Sequence, residues 1–252
     1  MTGLHSMVRF SLQIGDCLKT EKTLIFTAAD RGECVYVDID NFDRSRFPIP
    51  PVPVGSVEFV RRYAKIYGIA LPDFPTYPES IQAYLNRKIW IDQFCSVADD
   101  VFVKPVATKI FTGAIKSSIT EYVPSDTQVW VSPAIQFDQE WRFYILEGNV
   151  VGYARYDDLE SDDLEPPCVL VAKIASEFRD ATVGYSLDMG HSFGHWSLIE
   201  ANDGWSLGYY RGGTMAIRNY MRLITARWNQ ISGAASAAHS SANTSLVERS
   251  GY

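Results

Sequence analysis

The sequence predicts an α+β protein of strands and short helices, and three observations carry that expectation. Residues 140–156 alternate with a period of two: Trp141, Phe143 and Ile145 share one face, and Glu140, Arg142, Tyr144 and Leu146 the other. Val57, Val60, Ala64 and Tyr67 instead fall on one stripe at helical spacing. With 46% hydrophobic and 21% charged residues, the 252-residue chain has a globular composition, enough for one substantial core or two small lobes sharing a cleft.

In chain order, Thr23–Phe26 and Cys34–Ile39 are the first strand candidates. Phe47 to Pro53 holds four prolines and reads as an extended connector, because proline removes a donor and restricts its predecessor. Ser56 then caps a helix that Gly68 ends. A second proline-rich stretch, 71–78, leads to another helix near Glu79 to Asn86, and a boundary is expected near Asp99-Asp100. Val101-Phe102-Val103-Lys104 is a strand stopped by Pro105, with a return strand expected over Ile115 to Val123. Gln128 to Ser132 is a further strand, stopped by Pro133. In the 140–156 hairpin, Gly148-Asn149 is read as the two-residue turn, which sets Leu146 opposite Val151, Tyr144 opposite Tyr153 and Arg142 opposite Arg155. The acidic run 157–165 is expected to be a solvated loop. A helix over 166–178, strands over 182–188 and 196–202, and a last helix over 213–228 complete the body. From Ile231 onward the chain is rich in Ala and Ser, and a disordered tail is expected.

Composition excludes some classes. A net charge of -7 and a pI near 5.1 argue against a nucleic-acid-coating protein. No apolar run is long enough to span a bilayer, and residues 1–10 lack an apolar stretch of signal-peptide type, so a cytoplasmic location without membrane contact is expected. Cys17, Cys34, Cys95 and Cys168 are widely spaced and suit reduced thiols better than a disulfide framework.

Two groups of residues suggest chemistry. Arginines directly opposite each other repel, so Arg142 and Arg155 point either to an anion held between them, for which phosphate suits the guanidinium fork, or to separate pairing with carboxylates such as Glu140 or Asp157. In the strand Trp196 to Asn202, Glu200 and Asn202 lie on one face, and Asp188 ends the strand before it. Three hard oxygen donors suit Mg2+ or Mn2+ with phosphate oxygens completing the shell; the plainer alternative is a polar strand end in water. His191 and His195 are read as part of a loop, Trp130, Trp141 and Trp196 as core, and Arg87 as a surface residue or a substrate contact.

The ordered set Val103-Lys104-Pro105, Val129 to Ser132, Glu140 to Phe143, Tyr185 to Asp188 and Leu198 to Asn202 resembles the ATP-grasp fold over about residues 100 to 210. Within that superfamily it is similar to the compact amide ligases of phages and bacteria, as is Tyr84 to Ile89. The resemblance implies two α+β subdomains sandwiching a nucleotide, after a reduced N-terminal region: residues 1–98, then an ATP-grasp domain at 99–230, then the tail at 231–252. It implies ATP and Mg2+ as cofactors, with Lys104 on the nucleotide phosphates, Trp130, Val131 and Ser132 in the hinge beside the adenine, Arg142 and Arg155 on the transferred phosphate, and Asp188, Glu200 and Asn202 on the metal. The implied reaction joins a small-molecule or peptide carboxylate to an amine through an acyl phosphate, with phosphotransfer to another acceptor, or nucleotide binding alone, as the alternatives. The stretch 108–113 has one glycine where the family's phosphate-covering loop has several, and Lys109 is the residue there that offers charge instead.

Overall fold

The computed structural model describes residues 9–15, 19–29, 33–107, 111–210 and 213–249. Three sheets organise them. The first is parallel, with β1 (Phe10–Gln13) between β2 (Cys34–Val37) and β3 (Val52–Val54). Helix α1 (Lys19–Ala28) connects β1 to β2, and α2 (Val57–Tyr67) follows β3. Thr23–Phe26, expected as a strand, lies inside α1: the buried residues are Glu21, Lys22 and Ile25, a helical spacing that overrides the local strand propensity. The proline segment ends in β3, an edge strand, where a proline costs no ladder bond. Helix α2 has the expected ends: the Ser56 hydroxyl accepts from the Phe59 amide, and Gly68 closes the helix at φ 68°.

The second sheet is antiparallel, in the order β4 (Trp90–Gln93), β7 (Gln128–Ser132), β5 (Phe102–Pro105) and β6 (Ala114–Ile115). Its first strand precedes the expected boundary at Asp99-Asp100, because Ile91 pairs with Trp130 across β4 and β7. The return strand expected over 115–123 reduces to the two residues of β6, which a 3-10 turn at Lys116–Ser118 ends. Val97, Val103, Phe111, Val129 and Val131 form this sheet's small core.

The third sheet is antiparallel, in the order β11 (His195–Asp203), β10 (Gly184–Ser192), β8 (Gln139–Leu146) and β9 (Asn149–Arg155). Trp141, Phe143 and Ile145 of β8 pack against Val171 and Ile174 of α3 (Cys168–Glu177) and against Ile81 and Leu85 of the 3-10 helix Glu79–Leu85. The opposite face is covered as well. Tyr144 joins a core made by β1, α2 and α4 (Ile217–Arg249), which includes Phe10, Phe59, Tyr63, Leu223 and Trp228. The N-terminal region and the last helix therefore share one hydrophobic interior. Arg227 of α4 locks onto the end of β11 through a bidentate pair with Asp203, at 2.6 Å on both sides. Helix α4 runs on through the Ala/Ser-rich stretch where a tail was expected, consistent with alanine being the strongest helix former. Strands β10 and β11 also run longer than expected, to a turn at Phe193-Gly194 with φ 50° and 79°, so His191 and His195 stand in strands rather than a loop. Among the described residues no helix is long and apolar enough to cross a membrane.

Candidate functional site

The site lies on the face of the third sheet opposite Trp141 and Phe143. Arg142 of β8, Asp188 of β10 and Glu200 of β11 occupy successive cross-strand positions, so their side chains share that face. Asn202 lies two residues beyond Glu200, opposite Ser186. Arg142 grips Asp188 with two hydrogen bonds, Nε to Oδ1 at 2.8 Å and Nη2 to Oδ2 at 2.7 Å, and Asn202 Nδ2 donates to Oδ2 at 3.1 Å. Lys104 enters from β5 of the second sheet and forms an ion pair with Glu200, so the line of charges joins the two sheets.

The residues expected in the hinge are adjacent to this line. Lys104 pairs with Trp130 across β5 and β7, and Trp130 meets Tyr77 edge-on at 5.0 Å. Val131 is buried in the second sheet's core, and the Ser132 hydroxyl donates to the Pro133 carbonyl at 3.1 Å. Lys109 lies outside the described residues.

Arg155 does not join them. The turn residues are Glu147 and Gly148, at φ 51° and 75°, rather than Gly148 and Asn149. Leu146 therefore faces Asn149, and after a bulge between Tyr144 and Ile145, Arg142 faces Ala154 while Arg155 faces Trp141. A slip of one residue sends a side chain to the other side of the sheet. On that side Arg155 is held by carboxylates, the second of the two readings open to it: it makes two bonds to Asp157 at 2.9 and 2.7 Å and one to Asp163 at 3.0 Å. Burial works against the Asp157 charge, but Arg155 and the amides of Glu140 and Leu159 hold its carboxyl down at about 2. Its folded value thus lies below the free value of 3.8, so it adds stability at neutral pH that fades as pH falls from about 4 towards 2. Asp157→Asn is expected to cost on the order of 2 kcal/mol at pH 7 and only a small part of that at pH 2, where the carboxyl is about half protonated. Urea unfolding at the two pH values checks this, and equal losses at both would count against it.

Two aromatic residues, Tyr156 and Tyr210, take the place expected for Arg155. Arg142 Cζ lies 5.7 Å from the Tyr156 ring and 5.2 Å from the Tyr210 ring, and the two rings stack on each other at 5.2 Å. Tyr156 was hidden by the expected register, which set it opposite Trp141; its amide bonds to the Glu140 carbonyl, and the observed register puts it on the Arg142 face. Tyr210 is fixed by tertiary contacts: its amide donates to the Tyr144 hydroxyl at 3.1 Å, and the Tyr209 amide to Glu21 of α1 at 2.8 Å. Arg87, expected as a surface residue or a substrate contact, is instead half-buried against the backbone of β11.

Burial and like charge both act here. Burial pushes the Asp188 carboxyl above the usual carboxylate range against the pull of Arg142; Glu200 adds to the rise, and Lys104 acts the other way. Burial also opposes the Arg142 charge, yet Asp188 outweighs it and holds the guanidinium well above its ordinary value. Burial likewise raises the Glu140 carboxyl; its bond with Tyr156 opposes that, and Asp188, Asp157 and Glu200 reinforce it. Carboxylates crowded on one desolvated face need cations, which Lys104 and Arg142 supply here and which a divalent ion would supply equally. Among the described residues no three His, Cys, Asp or Glu side chains gather as a metal-binding group, so the candidate donor set is two carboxylates and an amide. That set is all hard oxygen on adjacent strands and fits Mg2+.

A family model described as an ATP-grasp domain, family 2 of its clade, matches residues 84–219. Among solved structures, the fold is similar to that of D-alanine–D-alanine ligase from Bacillus anthracis complexed with ATP, with 12% identity, 89% of this chain and 96% of that chain covered, and a TM-score of 0.50. The ATP-grasp ligase PsnB complexed with minimal precursor is 13% identical, with 88% and 99% covered and a TM-score of 0.45. The RimK domain protein ATP-grasp from Sphaerobacter thermophilus DSM 20745 is 15% identical, with 86% and 98% covered and a TM-score of 0.41. No curated protein matches the chain.

Proposed function

Since the chain belongs to the ATP-grasp superfamily and has its fold, we propose that it is an ATP- and Mg2+-dependent ligase that joins a carboxylate to an amine. One observation carries the reading: two ion pairs, Lys104–Glu200 and Arg142–Asp188, lie in one line across two sheets, with the two carboxylates side by side between the cations. Each member has a counterpart in a metal–nucleotide complex. Phosphate oxygens suit Lys104 and Arg142, and the ion suits Asp188, Glu200 and the Asn202 carbonyl oxygen. When bound, the ion neutralises charge on the phosphate oxygens and orients them.

The protein's own part is positioning and electrostatic stabilisation. Strand β7 is paired with both β4 and β5 as far as Val131 and with β5 alone at Ser132, so the backbone edge open to an adenine begins at Ser132, one residue past the Val131 hinge position, with Trp130 beside Lys104. A substrate carboxylate oxygen attacks the γ-phosphorus and ADP leaves. The amine then attacks the acyl carbon, phosphate departs with the C–O bond electrons, and the nitrogen loses a proton. Arg142, held by Asp188 and two tyrosine rings, is the residue assigned by this reading to the transferred phosphoryl group. B. anthracis D-alanine–D-alanine ligase, solved with ATP, motivates amino acids as the first substrates to try, with short peptides beside them.

Saturating ATP with Mg2+ is expected to raise the melting temperature by about 5–10 °C, from roughly 2.7 kcal/mol of linkage at a hundredfold excess over Kd. An unchanged melting temperature would remove the nucleotide site. Amino acids and short peptides offered as carboxylate and amine should then release phosphate and ADP in an amine-dependent manner. Transfer that ignores amines would indicate a phosphotransferase, and binding without turnover a nucleotide-binding module.

A further inference from the structure

β11 is the outer strand of its sheet and carries one residue more than β10 beside the site. Asp188 pairs with Glu200 and Met189 with Leu198, so Ile199 is the inserted residue of a bulge. A bulge re-aims the neighbouring side chain and interrupts the ladder. Here one guanidinium spans it: Arg87 Nη1 donates to the Leu198 carbonyl and Nη2 to the Ile199 carbonyl, both at 2.8 Å, with Nη1 also 3.1 Å from the Leu85 carbonyl. On the other side of Glu200, the Ala201 amide donates to the Thr76 carbonyl at 2.9 Å. Glu200 is therefore bracketed by the segment 76–87, whose Tyr77 contacts Trp130 of the second sheet.

Resting on the proposed function, we infer that Arg87 is a positioning residue for Glu200: it clamps the β11 bulge so that the carboxylate turns towards Lys104 and Asp188, and thereby sets the affinity of the site for a divalent cation. The planar fork is what the position requires. Two carbonyls on consecutive residues need two parallel donors on one rigid group, which a lysine ammonium does not provide.

The test uses the full chain carrying Arg87→Lys, Arg87→Gln or Glu200→Gln, and Arg87→Gln combined with Glu200→Gln. Mn2+ binding is titrated by electron paramagnetic resonance with a non-hydrolysable ATP analogue present. Analogue binding without metal, and hydrogen exchange over residues 196–203, are measured alongside. Both Arg87 variants are expected to weaken Mn2+ by about tenfold or more, to speed exchange over 196–203, and to leave metal-free nucleotide affinity within about twofold. The double variant should lose no more Mn2+ affinity than Glu200→Gln alone, because Arg87 acts through that carboxylate. Unchanged Mn2+ affinity and exchange in Arg87→Lys, or additive losses in the double variant, would overturn the inference. If Arg87→Gln does not fold, Arg87→Lys decides. If the unaltered protein takes up no Mn2+ with the analogue, the ligase reading falls, and exchange over 196–203 decides the role of Arg87 independently.

Discussion

Glu200→Gln is expected to lower ATP turnover by about a hundredfold or more while moving the melting temperature by only a few degrees. The substitution keeps shape and hydrogen-bonding capacity and removes one charge. On the structural side the loss is small. The Lys104 and Glu200 side chains are 27% and 17% exposed, so the released ammonium can recover water. On the functional side, a neutral amide in place of the carboxylate is a weaker ligand for a hard cation, and the ion's contribution to neutralising the transferring phosphate is several kcal/mol, with about 1.4 kcal/mol for each tenfold in rate. Steady-state turnover together with thermal melting separates the two effects. Turnover like that of the unaltered protein would take Glu200 out of the mechanism, and a collapse in stability would make it a structural residue.

Removing Arg142 should affect stability far more. Its partner Asp188 is 1% exposed, lies opposite Glu200 and has Glu140 nearby. Arg142→Met leaves that carboxylate buried without its bidentate partner, a loss of about 3–5 kcal/mol. At about 2–4 °C per kcal/mol this lowers the melting point by roughly 6–20 °C. Turnover should vanish too, since the proposed phosphate contact goes with the guanidinium. The double variant Arg142→Met/Asp188→Leu separates the two roles. With no buried charge left unpaired, much of the stability should return, while turnover should not. Recovery of turnover in the double variant would show that the pair serves the fold alone. A single variant as stable as the unaltered protein would mean that water or another cation already reaches Asp188.

The two predictions depend on how the hairpin is read. Its alternation is plain in the sequence, and so is the apolar side formed by Trp141, Phe143 and Ile145. The register is not. Glu147 adopts a positive φ that glycine or asparagine adopts more readily, so the turn starts one residue earlier than the Gly148-Asn149 pair suggests. That slip, with the bulge, is enough to bring Tyr156 beside Arg142 and carry Arg155 to the acidic loop. The backbone contacts of Arg87 were missed for a related reason. Its partners are backbone carbonyls more than a hundred residues away, exposed by a bulge that leaves no compositional trace.

Local chemistry accounts for what could be read directly: helix caps, proline stops and strand faces depend on neighbours a few residues apart, as Ser56, Gly68 and the Glu200/Asn202 pair illustrate. The order of lysine, hinge, arginine and acidic strands along the chain pointed to the superfamily for the same reason, since each motif is short. Three matters needed the folded molecule: which arginine faces the carboxylates, that Lys104 crosses between sheets to Glu200, and that α4 and the first strands enclose one core. Each turns on a one-residue register or a contact between distant segments, where the free energy is collected from burial and charge pairing that no local stretch of sequence contains.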